Sequence, residues 1–292
     1  METGAAVAVL IGIVIILGAI FGGYALEGGF LGPLFQPYEL LMIAGGGVGA
    51  FVISNDRKSM QATIDAIPTL FESSKHTSAL YLDLLSLMFD ILTKVRKEGL
   101  MSLEPDIDSP YQSGLFLKYP VILADAHLTE FIADYFRLLV SGNMDPYQIE
   151  NLMDNEIEVH HQDGHLAINA MHKVADSLPA FGIIAAVMGV VHTMASVGLP
   201  PSELGHLIAS ALVGTFLGIL LAYGVFTPIA SLLERKLAES TKVYQCVKVI
   251  IIASLNSYAP TLAVEFGRKV VSASERPSFD ELEQHCRQLK KR

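Results

Sequence analysis

Chemistry in this chain has few places to reside. Four apolar stretches, residues 7–23, 40–54, 178–197 and 204–233, contain no Asp, Glu, Lys or Arg. A carboxylate inside such a stretch is the usual carrier of a proton or sodium ion. Without one, the chain either moves no ions or relies on a titrating group from a partner. What remains are hydroxyls. Thr193 in the third stretch, and Ser210 and Thr215 in the fourth, could line a wet path, although each can equally bond back to its own helix. His192 and His206 could shuttle protons or serve as structural residues near helix ends. His161 and His165 stand four apart, a zinc-capable spacing, but Gly164 lies between them and no third ligand falls at a companion spacing, so no metal site is expected. No phosphate-binding glycine loop, nucleophile elbow or kinase signature occurs, and enzymatic chemistry is not expected.

Those residues need elements to hold them. With 51% hydrophobic and only 17% charged residues in 292, the composition points to a membrane. A bilayer core needs about 20 apolar residues as helix, and each of the four stretches reaches or approaches that length. The first lacks the Lys or Arg of a cleavable signal and reads as a retained helix. A fifth apolar run, 246–255, is short and contains Lys248; a helix packed on a neighbour or lying at the interface explains it better. All twenty Lys and Arg fall in two segments, nine between Arg57 and Lys173 and eleven between Arg235 and Arg292. Positive residues stay inside, so both segments and both termini are expected in the cytoplasm, with short outside loops at 24–39 and 198–203. The first segment is acidic, with nineteen carboxylates across 56–176; the tail, with seven acids across 234–292, is basic and suits anionic lipid. Cys246 and Cys286 read as reduced thiols.

The fold expected is therefore all-α: a polytopic membrane protein with four transmembrane helices and a helical cytoplasmic domain. Its parts are 1–54 (spans one and two), 55–177 (cytoplasmic domain), 178–233 (spans three and four) and 234–292 (cytoplasmic helical tail). Within the domain, periodicity predicts a helix over 76–98 with Leu80, Leu84, Leu87, Ile91 and Val95 on one face, stopped by Gly99. A second helix is predicted over 121–140, ending at Gly142. A third opens at Asp145-Pro146. Gly18 and Gly22, Gly45 and Gly49, and Gly214 and Gly218 are each four apart, a spacing that lets helices approach closely. Pro179 reads as a first-turn proline of the third span. Pro228 lies deep in the fourth, where it frees the Gly224 carbonyl and should bend or weaken the helix.

Specific stretches carry a family resemblance. DSLPAFGIIAAVMGVVH at 176–192, VGTFLGILLAYG at 213–224 with Pro228, AVEFGRK at 263–269, SERPSF at 274–279, YPVILAD at 119–125 and SLEPDI at 102–107 together resemble the MotA proteins, proton-conducting stator subunits of the bacterial flagellar motor in the MotA/TolQ/ExbB proton channel family. The resemblance runs through nearly the whole chain in order. It implies a multi-pass protein of the inner membrane, five copies around a dimer of MotB. MotB supplies the membrane aspartate that binds the proton, which would account for the missing carboxylate. It further implies torque delivered to the rotor protein FliG, flagellar rotation in chemotaxis, and no cofactor beyond the transported proton. The positions matching the rotor contact are Arg96 and Glu104; those matching the prolines that couple ion flow to motion are Pro179 and Pro228; Thr215 matches the hydroxyl near the proton path. Pro105, directly after Glu104, departs from the charged residue expected there. Two rivals stand beside this reading: an ExbB- or TolQ-like energiser of a periplasmic partner, usually with three spans, and a stand-alone ion channel or transporter.

Overall fold

The structure, a computed structural model, describes residues 4–72, 75–142 and 145–289; the side chain of Cys286 and the basic residues 290–292 lie outside the described set. The described residues form helices and turns with no strand, in the order α1 (Gly4–Leu26), α2 (Pro37–Ser54), α3 (Arg57–Thr69), α4 (Ser78–Glu98), α5 (Glu104–Asp108), α6 (Pro120–Leu123), α7 (Ala126–Ser141), α8 (Pro146–Met194), α9 (Pro201–Leu221), α10 (Thr227–Leu255), α11 (Pro260–Val270) and α12 (Phe279–Leu289). The all-α expectation holds, and four helical segments are long and apolar enough to cross a membrane. The chain divides into two compact units, Met1–Ser73 with Asp163–Lys236, and Ser74–Gln162 with Leu237–Arg292.

In the first unit α1 turns most of its side chains outward, Val14, Ile15 and Leu26 among them. Phe21 meets Phe216 of α9 edge to face, centroids 5.9 Å apart. Helix α2 starts at Pro37, where the missing N–H is harmless in a first turn. The loop expected at 24–39 is therefore shorter, and Glu39 belongs to the helix. The centre of the unit is the meeting of α8 and α9. A Cβ on Gly182 would lie 2.7 Å from the Gly214 carbonyl oxygen and 3.1 Å from the Gly218 Cα, so only glycine permits that approach. Of the three glycine pairs singled out by spacing, Gly214 and Gly218 make such a contact; nothing lies within 4 Å of a Cβ at Gly18, Gly22, Gly45 or Gly49.

Two expectations about prolines resolve differently. Pro179 does not open a helix: α8 runs unbroken from Pro146 to Met194 with Pro179 inside it. The change from polar to apolar sequence near Leu178 carries no stop signal, so the helix continues through it, short of the one hydrogen bond that Pro179 cannot donate. At Pro228 the local weakening takes a definite form, a π-helical turn (Ala222–Phe226) immediately before Thr227. A wider turn there accommodates the hydrogen bond the proline cannot donate.

The second unit has a conventional apolar core. Leu80, Leu84, Leu87 and Ile91 of α4 are buried, Val95 partly so. Gly99 ends the helix at φ +85°, the left-handed region that favours glycine. The helix expected over 121–140 is two pieces. Asp125 interrupts it by capping α7, its Oδ1 accepting from the Leu128 N–H at 3.1 Å. Asp145 and Gln148 open α8 reciprocally: Asp145 Oδ1 accepts from Gln148 N at 3.0 Å and Gln148 Oε1 from Asp145 N at 3.2 Å. The run 246–255 packs on a neighbour, since a Cβ on Gly267 of α11 would meet Ile250 at 2.4 Å and the Cys246 sulfur at 3.1 Å.

Candidate functional site

Arg96 stands in the last turn of α4 and Glu104 at the start of α5, either side of the Gly99 turn. Both are exposed. The turn between them is held from both sides. Lys94 of α4 reaches Asp106 at 2.5 Å, and the same carboxylate accepts from Ser113 at 2.5 Å. From α7, Arg137 donates to the Ile107 carbonyl at 2.5 Å and lies 3.7 Å from Asp108. Lys94, Asp106, Asp108 and Arg137 are thus occupied in fixing α5, while Arg96, Glu104 and the adjacent Lys97 and Glu98 are exposed without an ion pair among the described residues. Pro105 sits in the first turn of α5, where a proline fits without loss of a hydrogen bond. The departure from the family pattern leaves the acid in place.

In the first unit the candidate hydroxyls part company. Thr193, 5% exposed, donates to the Gly189 carbonyl of its own helix at 2.9 Å. Ser210 is engaged across helices, accepting from Gln36 Nε2 at 2.9 Å. Thr215 is half-buried beside the close approach of α8 and α9; its Cα would lie 3.4 Å from a Cβ on Gly182. Pro179 is half-buried, and the carbonyl just before it, that of Leu178, is the atom a Cβ on Gly218 would strike at 2.7 Å. Pro228 is exposed.

The reading of the spans as free of carboxylates needs correction. Glu39 lies in the segment Gly32–Ser54, in the first turn of α2, and is 7% exposed. Hydropathy places a charged residue at a loop edge, whereas the helix begins two residues earlier, at Pro37. Gln36, one turn before, has no motif around it in the sequence; it ties Ser210 to the Pro33 carbonyl. Gly182 and Gly189, seven apart on α8, lie outside the spacing of four that marks close helix approach in a sequence.

Comparison with known proteins supplies the family. Residues 10–99 match the family described as motility protein A N-terminal, and residues 123–246 the MotA/TolQ/ExbB proton channel family. The chain is 53% identical over 282 residues to motility protein A of Salmonella typhimurium, covering 97% of this chain and 96% of the relative. It is equally 53% identical over 282 residues to motility protein A of Escherichia coli K12, with the same coverage. Its fold is that of the solved structure of C. jejuni MotAB, with a TM-score of 0.76 at 18% identity, covering 93% of this chain and 98% of that one. The chain belongs to the motility protein A family of flagellar stator proteins, multi-pass membrane proteins of the MotA/TolQ/ExbB proton channel group and not enzymes.

Proposed function

We propose that this chain is the torque-generating half of a stator in the bacterial inner membrane, with both termini in the cytoplasm. It works with MotB, five copies around a MotB dimer, and acts on the rotor protein FliG. Protons bind the MotB aspartate, each transfer shifts the surrounding helices, and Arg96 and Glu104 deliver the step as paired opposite charges. Pro179 and Pro228 couple ion flow to that movement, and Thr193, Ser210 and Thr215 line the path. The boundaries at 1–54, 55–177, 178–233 and 234–292 then separate membrane from cytoplasmic parts. One observation carries the reading: Arg96 and Glu104 are exposed and without an ion pair among the described residues, at the two ends of a turn fixed by Lys94–Asp106 and Arg137–Asp108. Its magnitudes agree. One proton crossing 100 mV releases about 2.3 kcal/mol, and an exposed charge pair is worth about 1 kcal/mol or less, so a single ion suffices to make and break a contact.

The test is charge reversal. Arg96→Glu should cut swimming speed while the protein accumulates in membranes at the normal level, and an acid-to-base change on the rotor should restore part of the loss. Undiminished swimming in the single variant removes Arg96 from the contact.

A further inference from the structure

The starting point of α2 carries a carboxylate into a membrane span. Glu39 is 7% exposed, and its Oε2 is buried with no hydrogen-bond partner among the described residues. Two glycines from different helices make the room. A Cβ on Gly214 of α9 would stand 3.0 Å from Oε2, and one on Gly189 of α8 would stand 3.7 Å from Oε1. The surroundings extend this into a polar strip. Thr193 donates to the carbonyl of the same Gly189, and Gln36, one turn before Glu39, donates to Ser210, one turn before Gly214. Along α8 and α9 the titratable side chains nearest to these glycines are His192 and His206, both exposed; Glu203 at the start of α9 is exposed too, as is Tyr38 on α2.

A carboxylate anion shut away from water, with the Gly214 backbone N–H as its nearby donor, is unfavourable, whereas the neutral acid is tolerated. A metal cation would need several oxygen ligands, and no group of three His, Cys, Asp or Glu side chains stands together among the described residues. A bare proton is the ligand that fits. We propose that Glu39 is a proton-binding site belonging to this chain itself, loading and unloading between the Gly189 and Gly214 backbones on the route ions take to the partner's carboxylate. In loading, an O–H bond forms on the carboxylate as one breaks on a hydronium ion; unloading reverses this to a water molecule. The proposal rests on the proton-driven stator reading, and its test separates the two.

The full chain is purified from membranes with its partner. Infrared difference spectra between neutral and acidic buffer should contain the carbonyl band of a protonated carboxyl group, lost in Glu39→Gln and displaced in Glu39→Asp. In a strain lacking the chain, Glu39→Gln should slow the rotation of tethered cells at least about tenfold, and Glu39→Asp, which keeps the acid, should recover most of the speed. A spectrum that neither substitution alters overturns the proposal. So does full-speed rotation of Glu39→Gln, or an equal loss in both variants from complexes that assemble normally, the mark of a steric role. A wild-type chain that fails to restore rotation rejects the stator reading instead, and the infrared band still decides for or against Glu39. Should Glu39→Gln not assemble, the displaced band and the rotation speed of Glu39→Asp give the answer.

Discussion

The two units bury themselves by opposite means. In the second, large apolar side chains fill the interior: Leu84, Leu85, Leu87, Met88 and Ile91 of α4 have no exposed surface, nor do Phe116, Ile132 and Ile250. In the first, the close contact of α8 with α9 is backbone against backbone at Gly182, Gly214 and Gly218, while Val187, Val191 and Leu212 face outward. The solvent explains the difference. Against water, each buried Å² of apolar surface contributes about 25 cal/mol, so bulk belongs inside. Against lipid there is no such gain between helices, and association depends on close packing. The second unit should therefore suffer most from lost methyl groups and the first from added ones.

The sharpest test of the contrast is Leu84→Ala. It empties a fully buried site and should destabilise the second unit by about 2–5 kcal/mol, read as faster amide hydrogen exchange along α4 in the full-length protein. Its counterpart is Gly182→Ala, which adds one methyl group. The new atom meets a carbonyl oxygen and a Cα, neither of which can rotate away, and the helices must separate at a penalty of about 1–3 kcal/mol. Lower thermal stability of the purified protein would show it. Gly22→Ala on α1, with nothing within 4 Å, should not lower the melting temperature. Equal effects at Gly182 and Gly22 would break the comparison.

The second unit was the more legible in sequence for the same reason. Its helices face water on one side, so the stripe from Leu80 to Ile91 writes the buried face directly into the spacing, and Gly99, Gly142 and Asp145 mark ends by local backbone chemistry. The miss there, the break at Asp125, is a local cap hidden in a run of apolar residues. Membrane helices carry no such stripe. Their existence follows from length and composition, but which glycines touch depends on neighbours remote in the chain; Gly45 and Gly49 read as well as Gly214 and Gly218, and only the latter pair packs. Glu39 illustrates the limit. Its burial is set by Gly189 and Gly214, more than a hundred residues away, and nothing beside it announces them. Arg96 and Glu104 became visible only through family likeness, because an exposed unpaired charge has no local signature at all.

The smallest effects expected distinguish two carboxylates inside the second unit. Glu265 accepts two hydrogen bonds from Arg268, each 2.7 Å, and these hold its carboxyl below the ordinary value of 4.5. Arg268 also donates to the Pro277 carbonyl at 2.9 Å, so the pair fastens the 274–279 segment to α11. Its contribution is present above pH 4.5 and disappears as the pH falls through the depressed folded value. Glu265→Gln should lower stability by about 1 kcal/mol at neutral pH and by nothing in strong acid. Asp83 has the opposite sign. Burial outweighs the nearby His285, 3.4 Å away, and raises its carboxyl above 3.8, so the folded state favours the neutral acid and loses stability as the pH rises through that raised value. Asp83→Asn should therefore stabilise the protein slightly at neutral pH, with the gain vanishing below pH 3.8. Thermal melts of the two variants across the acid range should converge on the wild type from opposite sides. A Glu265→Gln protein more stable than the wild type at neutral pH, like Asp83→Asn, would mean that burial rather than pairing governs both groups, and the role of Arg268 as a fastening would fall with it.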